Sequence, residues 1–284
     1  MEEAGRRRRR VDLHTHTTAS DGQLRPAELV ALAAQRGVAV LGVTDHDTTA
    51  GLDEAVTAGR RVGIEIVPGI ELSTAVEAGE VHILGYFIDF HDRPLQKALR
   101  SFQERRLERA RAMVSRLQAL GIRIAFDEVL ALAGGGTISR AHLARLLTER
   151  GYTSSLEEAF ARYLARGRPA YVPHERPTPV EAVQVIRAAG GAAVLAHPHT
   201  AGDLARLLPE LIAAGLSGLE AWYGEYAEDQ RRSLVELAEA HGLIPTGGSD
   251  YHGEGFREGR ELGSVDVPPE SVERLRRAAS RTGR

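Results

Sequence analysis

Val11-Asp12-Leu13-His14-Thr15-His16 is the stretch from which the chain is best read. Apolar and polar residues interleave, as they do along a strand. Side chains alternate faces on a strand, so His14 and His16 point the same way. Two imidazoles on one face at a strand end can grip one ion. Asp12 shares that face and can orient a ligand from behind. A His-x-His pair alone is as easily two exposed histidines, but the Ser20-Asp21-Gly22 turn that follows adds Asp21 as a third candidate and tips the reading toward metal.

Outward from this stretch, similar short runs recur: Val38 to Thr44, Glu65 to Pro68, Val81 to Tyr86, Ala192 to Ala196, Gly218 to Ala221 and Leu243 to Thr246. Between them lie helical stretches at Pro26 to Arg36, Leu52 to Val62, Pro179 to Ala189, Asp203 to Ala214 and Glu228 to His241. This is the rhythm of repeated βα units. Gly37, Gly190, Gly215 and Gly242 fall at helix ends, where a left-handed cap is expected. From Leu99 to Arg168 the rhythm breaks into helices at Leu99 to Leu120, Phe126 to Ala133, Arg140 to Arg150 and Leu156 to Ala165. The expected organisation is an α/β barrel over residues 11–98 and 169–284, a helical insertion over 99–168, and a basic tail over 1–10.

The strand ends carry the chemistry. Thr44-Asp45-His46-Asp47 offers His46, with Asp45 and Asp47 as caps or supports. Pro68-Gly69-Ile70-Glu71 places Glu71 just past the third strand, where a carboxylate can bridge two ions. His82 stands in an apolar strand and, by itself, reads as a hydrogen-bonded core histidine. Ala196-His197-Pro198-His199 offers His197, with His199 open as ligand, proton donor or surface residue. Gly248-Ser249-Asp250-Tyr251-His252 puts Asp250 and His252 on one face. Ligands drawn from the tips of several strands are how metal sites are built on barrel folds.

Composition sets bounds. The 284 residues are 43% hydrophobic and 26% charged, with a net charge of −3 that provides no bulk drive toward nucleic acid. Cysteine is absent, so thiolate sites and disulfides are excluded, and imidazole with carboxylate suits Mn, Fe or Zn. No apolar run reaches a membrane span, and Met1 to Arg10 lacks a signal region, so residence in the cytoplasm is expected. The Arg6 to Arg10 run reads first as a solvated tail and second as a weak nucleic-acid contact.

The ordered series Asp12-Leu13-His14-Thr15-His16, Asp21-Gly22, Thr44-Asp45-His46, Pro68-Gly69-Ile70-Glu71, His82, Ala196-His197-Pro198 and Gly248-Ser249-Asp250-Tyr251-His252 resembles the PHP (polymerase and histidinol phosphatase) superfamily over nearly the whole chain. The resemblance implies a distorted seven-stranded β/α barrel with three divalent ions at its mouth, Mn2+ first among the candidates. It implies His14, His16, Glu71 and Asp250 on one ion; Glu71, His82 and His197 on a second, with Glu71 bridging; and Asp21, His46 and His252 on the third.

Within the superfamily, Ile138-Ser139-Arg140-Ala141-His142 and Gly167-Arg168-Pro169-Ala170-Tyr171-Val172-Pro173 look like the stand-alone phosphatases of nucleoside 3′,5′-bisphosphates, some of which also trim RNA from the 5′ end. That likeness implies a small phosphorylated nucleotide as substrate, or short RNA, and no obligate protein partner. Arg140 is then the candidate for holding a second phosphate, because a guanidinium fork matches phosphate oxygens in pairs. Ser139 and His142 would assist it. On the helix of Arg105, Arg106, Arg109 and Arg111, interleaved Glu104 and Glu108 favour a solvated face, with Arg105 and Arg106 kept as substrate candidates. His174 is a further contact candidate, His91 and His241 are surface residues, and the leaving group takes its proton from a metal-bound water or from His199, with His252 poorly suited while it holds an ion. Histidinol-phosphate phosphatase is the nearest alternative, and a non-catalytic metal-binding module the alternative of another class.

Overall fold

The structure is a computed structural model that describes residues 9–76, 81–173 and 176–282; His174 and Arg6 to Arg8 lie outside the described residues. Seven strands form one sheet in chain order: β1 (Arg10–Asp12), β2 (Val38–Val43), β3 (Glu65–Ser73), β4 (His82–Tyr86), β5 (Ala192–Leu195), β6 (Gly218–Tyr223) and β7 (Ile244–Gly248). The first and last strands approach each other. Leu13 N–H donates to the Gly247 carbonyl at 3.2 Å, His16 N–H to that of Tyr251 at 2.9 Å, and Asp250 N–H to that of His14 at 2.9 Å. These bonds draw the sheet into a nearly closed barrel, as the sequence predicts.

The strands are not all parallel. β4 runs antiparallel to both β3 and β5, while the remaining neighbours are parallel. The regular βα rhythm therefore fails once, between β3 and β4. An antiparallel pair needs no helical crossover. The same pairing corrects the reading of Glu71. With β4 as partner, the ladder continues from Gly69 opposite Tyr86 to Ser73 opposite His82, so β3 runs on past Pro68 and Glu71 sits inside it.

Alternation along the strands sorts two apolar layers. Ala192, Val194 and Ala196 point into the lumen with Val67, Leu84 and Tyr86. Ala193 and Leu195 face outward and pack with the helices, including Ile186, Leu208 and Leu211. The outer helices are α1 (Pro26–Gln35), α2 (Leu52–Val62), α7 (Pro179–Ala188), α8 (Leu204–Ala214) and α9 (Glu228–Ala240). Pro26 and Pro179 sit in first turns, where a missing N–H costs nothing. Gly215 closes α8 at φ 99°, a conformation that penalises any residue with a Cβ.

The helices between β4 and β5 are α3 (Arg93–Ala119), α4 (Phe126–Ala133), α5 (Arg140–Glu149) and α6 (Leu156–Ala159), the last continuing as a π-helical turn over Phe160–Leu164. α3 starts before the expected Leu99 because Asp92 accepts from Leu95 N–H at 2.8 Å and Pro94 fits the first turn. It is shared by two cores. Leu95 and Leu99 belong to the barrel's outer layer, whereas Met113, Val114 and Leu117 pack with Val129, Leu143 and Leu147 in a separate cluster. One 27-residue helix, roughly 40 Å long at 1.5 Å per residue, thus ties the insertion to the barrel.

α10 (Pro269–Thr282) has no counterpart in the sequence reading. Its Val272, Leu275 and Ala279 join the lumen cluster. Ser271 donates to the Pro245 carbonyl at 2.7 Å, near the start of β7, so α10 covers the barrel end opposite the histidines. Leu275 is fully buried there. Leu275→Ala is expected to cost about 2–5 kcal/mol, as buried Leu→Ala changes do. A denaturant midpoint unchanged from wild type would show that this end is not part of the cooperative core.

Candidate metal centre

The chain reversal at β4 explains how nine dispersed side chains meet. Parallel strands bring their C-terminal ends to one mouth of the barrel. A reversed strand brings its first residue to the same mouth, and His82 is the first residue of β4. His14, His16 and Asp21 follow β1; His46 follows β2; Glu71 lies in β3; His197 follows β5; Asp250 and His252 follow β7.

Glu71 stands at the middle. Its Oε1 lies 2.8 Å from His82 Nδ1 and 3.1 Å from His197 Nε2. Its Oε2 lies 3.3 Å from His14 Nε2, 3.2 Å from His16 Nε2 and 3.2 Å from His46 Nδ1. Asp250 Oδ1 approaches His16 Nε2 at 3.1 Å and His14 Nε2 at 3.4 Å. Asp21 Oδ1 approaches His252 Nε2 at 3.4 Å and His16 Nδ1 at 3.9 Å. Three groupings with ligand atoms near enough to share an ion are His14-His16-Asp250, His46-Glu71-His82 and His16-Asp21-His46-His252. His16 and His46 each fall in two groupings, so the sites are contiguous.

The donor set fits divalent cations. His16 Nδ1 and Nε2, Asp21 Oδ1 and His46 Nδ1 are buried without a hydrogen-bond partner, although nitrogen and oxygen atoms surround them. Such atoms are costly unless something else satisfies them. Borderline imidazole and hard carboxylate ligands suit first-row divalent ions. Backbone strain collects here too. Asp47, His197 and Asp250 have φ of 51°, 25° and 55°, a region that residues with a Cβ avoid and that clusters at functional sites. Gly248 is required by close approach: a Cβ there would lie 2.3 Å from His14 N.

The electrostatics agree. Burial would raise Glu71, but the imidazoles of His46, His14 and His82 outweigh it and hold the carboxyl well below its usual range. Burial likewise opposes Asp250, and the Arg260 guanidinium, then His14 and His252, overcome it. Burial would lower His16, yet the adjacent carboxylates of Asp250 and Glu71 drive it up to about 10. In His46 burial wins, and it falls to about 3. Neighbouring imidazoles pushed in opposite directions are what crowding around shared carboxylates produces.

The supports are partly those foreseen. Asp12 accepts from Ser249 N–H at 2.9 Å, from its hydroxyl at 2.6 Å and from Gly263 N–H at 2.8 Å, bracing the loop of Asp250 and His252. Asp45 accepts from Thr17 N–H at 2.7 Å and Ser20 Oγ–H at 2.6 Å, fixing the Asp21 turn. Asp250 Oδ2 accepts from Tyr223 O–H at 2.9 Å and from Arg260 at 2.5 Å, which leaves Oδ1 for the centre. Tyr223, Arg260 and the buried Glu220 were absent from the sequence reading. Glu220 alone left a signal, a charge inside the apolar run Gly218-Leu219-Glu220-Ala221-Trp222.

A cavity of about 630 Å³ joins this centre to the insertion. Ser139 and Arg140 line it, as do His199 and Arg106. Ser139 is also the N-cap of α5, accepting from Ala141 N–H at 3.1 Å. His142 is buried behind it, its Nδ1 accepting from Ser139 N–H at 3.1 Å, and it is not among the described lining residues. Arg105 is not among them either; it donates to Ser101 Oγ at 3.2 Å. The solvated-face reading of this helix is corrected for its neighbours. Arg106 and Arg109 are buried at the three-residue spacing that one helix face requires, and both line the cavity. Arg106 is held by Asp47 at 2.5 Å and Ser73 Oγ at 2.6 Å. Arg109, Arg176, Arg257 and Arg260 complete a wall of arginines. His199 Nδ1 lies 2.9 Å from Tyr226 Oη.

A model of the PHP domain family matches residues 12–169. The 3′,5′-nucleoside bisphosphate phosphatase of Chromobacterium violaceum is 40% identical over 265 residues, covering 91% of this chain and 93% of that protein. The 5′-3′ exoribonuclease Rnm of Salmonella typhimurium is 40% identical over 247 residues, covering 85% of this chain and 84% of that one. Among solved structures, a protein of Bifidobacterium adolescentis assigned as a metal-dependent phosphoesterase superposes with a TM-score of 0.85 at 33% identity, covering 94% of this chain and 95% of that one.

Adding Mn2+ to chelator-stripped protein is expected to raise its melting temperature, with a gain of about 4 kcal/mol at a thousandfold excess over Kd. Asp250→Asn is expected to keep the far-ultraviolet circular dichroism spectrum and to bind less Mn2+ by elemental analysis. A wild-type melt indifferent to Mn2+ would refute the metal reading.

Proposed function

This chain belongs to the PHP domain family, and from that premise we propose that it is a metal-dependent phosphoesterase that removes the 3′-phosphate of nucleoside 3′,5′-bisphosphates, converting pAp to AMP and phosphate. The observation that carries this reading is the single cavity with the histidine-carboxylate centre on one side and the arginines of the helical cap on the other. A substrate with two phosphates engages both at once.

In this assignment the centre would take three divalent ions, Mn2+ by preference. His14, His16, Glu71 and Asp250 would hold the first; Glu71, His82 and His197 the second; Asp21, His46 and His252 the third. Bound there, they would supply charge neutralisation at the scissile phosphate and activation of the attacking water. Support for Glu71 as the bridge is the division of its oxygens, Oε1 toward His82 and His197, Oε2 toward His14, His16 and His46.

The cap, residues 99–168, holds the 5′-phosphate. Burial first, then the guanidiniums of Arg140 and Arg176, push Arg109 down to about 9, so cations are crowded where a phosphate dianion would relieve them. Arg140 lies over the Phe160 ring, 5.4 Å from its centroid, which orients the fork. Ser139 contributes its hydroxyl. Remote binding of this kind can raise turnover as well as affinity. As water attacks phosphorus and the bond to O3′ breaks, the alkoxide needs a proton, and we assign His199 that donation because its ring lines the cavity beside His197.

Trimming of short RNA from the 5′ end is the second activity. A bisphosphate is the smallest fragment of a 5′-phosphorylated RNA: 5′-phosphate, ribose, 3′-phosphate. The same two subsites serve both, and the relative of 40% identity named as an exoribonuclease supports this. Histidinol phosphate fits less well, since its amine would face the arginine wall. A non-catalytic module would not need that wall. Cytoplasmic residence belongs to this reading; among the described residues no helix is long and apolar enough to cross a membrane.

Arg140→Ala is expected to cut kcat/KM on adenosine 3′,5′-bisphosphate by at least tenfold, about 1.4 kcal/mol, and to leave hydrolysis of a simple aryl phosphate within threefold. Equal losses on both substrates would refute the second-phosphate role. In a panel read as released phosphate with Mn2+ present, faster clearance of histidinol phosphate than of the bisphosphate would overturn the substrate assignment.

A further inference from the structure

The ligand candidates converge on the centre from the barrel mouth, but on its lumen side lies a carboxylate that belongs to none of the three groupings. Glu220 is fully buried in β6. Its neighbours Leu219 and Ala221 face outward into the helix layer, so alternation turns Glu220 into the lumen. The β6–β7 register shifts between Glu220 and Trp222, an irregularity of the kind that re-aims a side chain.

Both Glu220 oxygens are used, on ligand candidates assigned to different ions. Oε1 lies 2.9 Å from His14 Nδ1. Oε2 accepts from the His197 backbone N–H at 2.7 Å. A neutral imidazole carries one proton. With that proton on Nδ1 and donated to Glu220, the lone pair of His14 is on Nε2, the atom that faces Glu71 and Asp250. The bond to His197 acts on the backbone instead. His197 is held at φ 25° and ψ 63°, and its Nε2 faces the other oxygen of Glu71.

We propose that Glu220 is a positioning residue that sets the tautomer of His14 and the backbone of His197 together, coupling the ligands of the first and second ions. The inference rests on the metal centre described under the proposed function. A glutamine at this position keeps the shape but cannot accept on both sides: satisfying one partner turns its NH2 toward the other.

The test is a calorimetric Mn2+ titration of the full, chelator-stripped chain, with circular dichroism and a metal-free melt recorded alongside. Glu220→Gln is expected to weaken Mn2+ binding by about 10–100-fold, the usual effect of removing an outer support of a ligand. Glu220→Asp keeps the charge and shortens the reach, so it is expected to weaken binding to a smaller extent; it serves as the decisive variant if Glu220→Gln does not fold. A lower metal-free melting temperature with Mn2+ affinity within twofold of wild type would make Glu220 merely structural and overturn the inference. Wild-type protein that binds no Mn2+ would overturn both this inference and the proposed function, whereas normal wild-type binding with unchanged variants overturns this inference alone.

Discussion

One carboxylate organises the barrel mouth. Five imidazoles lie within 3.3 Å of the oxygens of Glu71, and the residue is almost wholly buried. Taking a charge out of water costs on the order of several kcal/mol per ion unless partners replace the solvent. The barrel meets that cost by concentration. Strands from distant parts of the chain bring imidazoles to the same carboxylate. The same crowding leaves buried nitrogen and oxygen atoms without hydrogen-bond partners, which is the chemical requirement that divalent cations satisfy.

The barrel's departures from regularity serve this concentration. Reversing β4 puts His82 at the mouth and lengthens β3 far enough to carry Glu71 inside a strand rather than on a mobile loop. A ligand on a strand is more precisely held than one on a loop. The strained backbones of His197 and Asp250 turn both residues inward just past strand ends. Each is held from outside the centre, His197 by Glu220 and Asp250 by Tyr223 and Arg260. The candidate ligands at the mouth are thus fixed by a surrounding ring of hydrogen bonds.

The helical cap adds the opposite charge pattern. Where the barrel contributes carboxylates and imidazoles, the cap and the loop of Arg257 and Arg260 contribute guanidiniums. α3 carries Arg106 and Arg109 on its buried face and spans both cores, so the cation wall is set rigidly relative to the centre. The histidine-carboxylate centre and the arginines thus face one cavity at a fixed separation.

The order of short motifs from His14 to His252 determined a great deal by itself. Strand alternation, the positions after apolar runs and the resemblance of the series were enough for the barrel, for the set of nine side chains that the fold gathers, and for phosphoester chemistry. Local sequence could not show what depends on partners far along the chain. The reversal of β4 is a matter of sheet pairing, and hydrophobic alternation reads the same in either direction. Arg106 and Arg109 look solvated beside Glu104 and Glu108 until the insertion folds over that face of α3. α10 is strongly charged and earns its place only through the lumen residues it covers. Glu220 reads as an isolated acid in a strand until His14 and His197 arrive on either side of it. Sequence carries the identity and periodicity of groups, whereas burial, direction and pairing arise from packing between segments that are distant in the chain, and only the tertiary structure decided those.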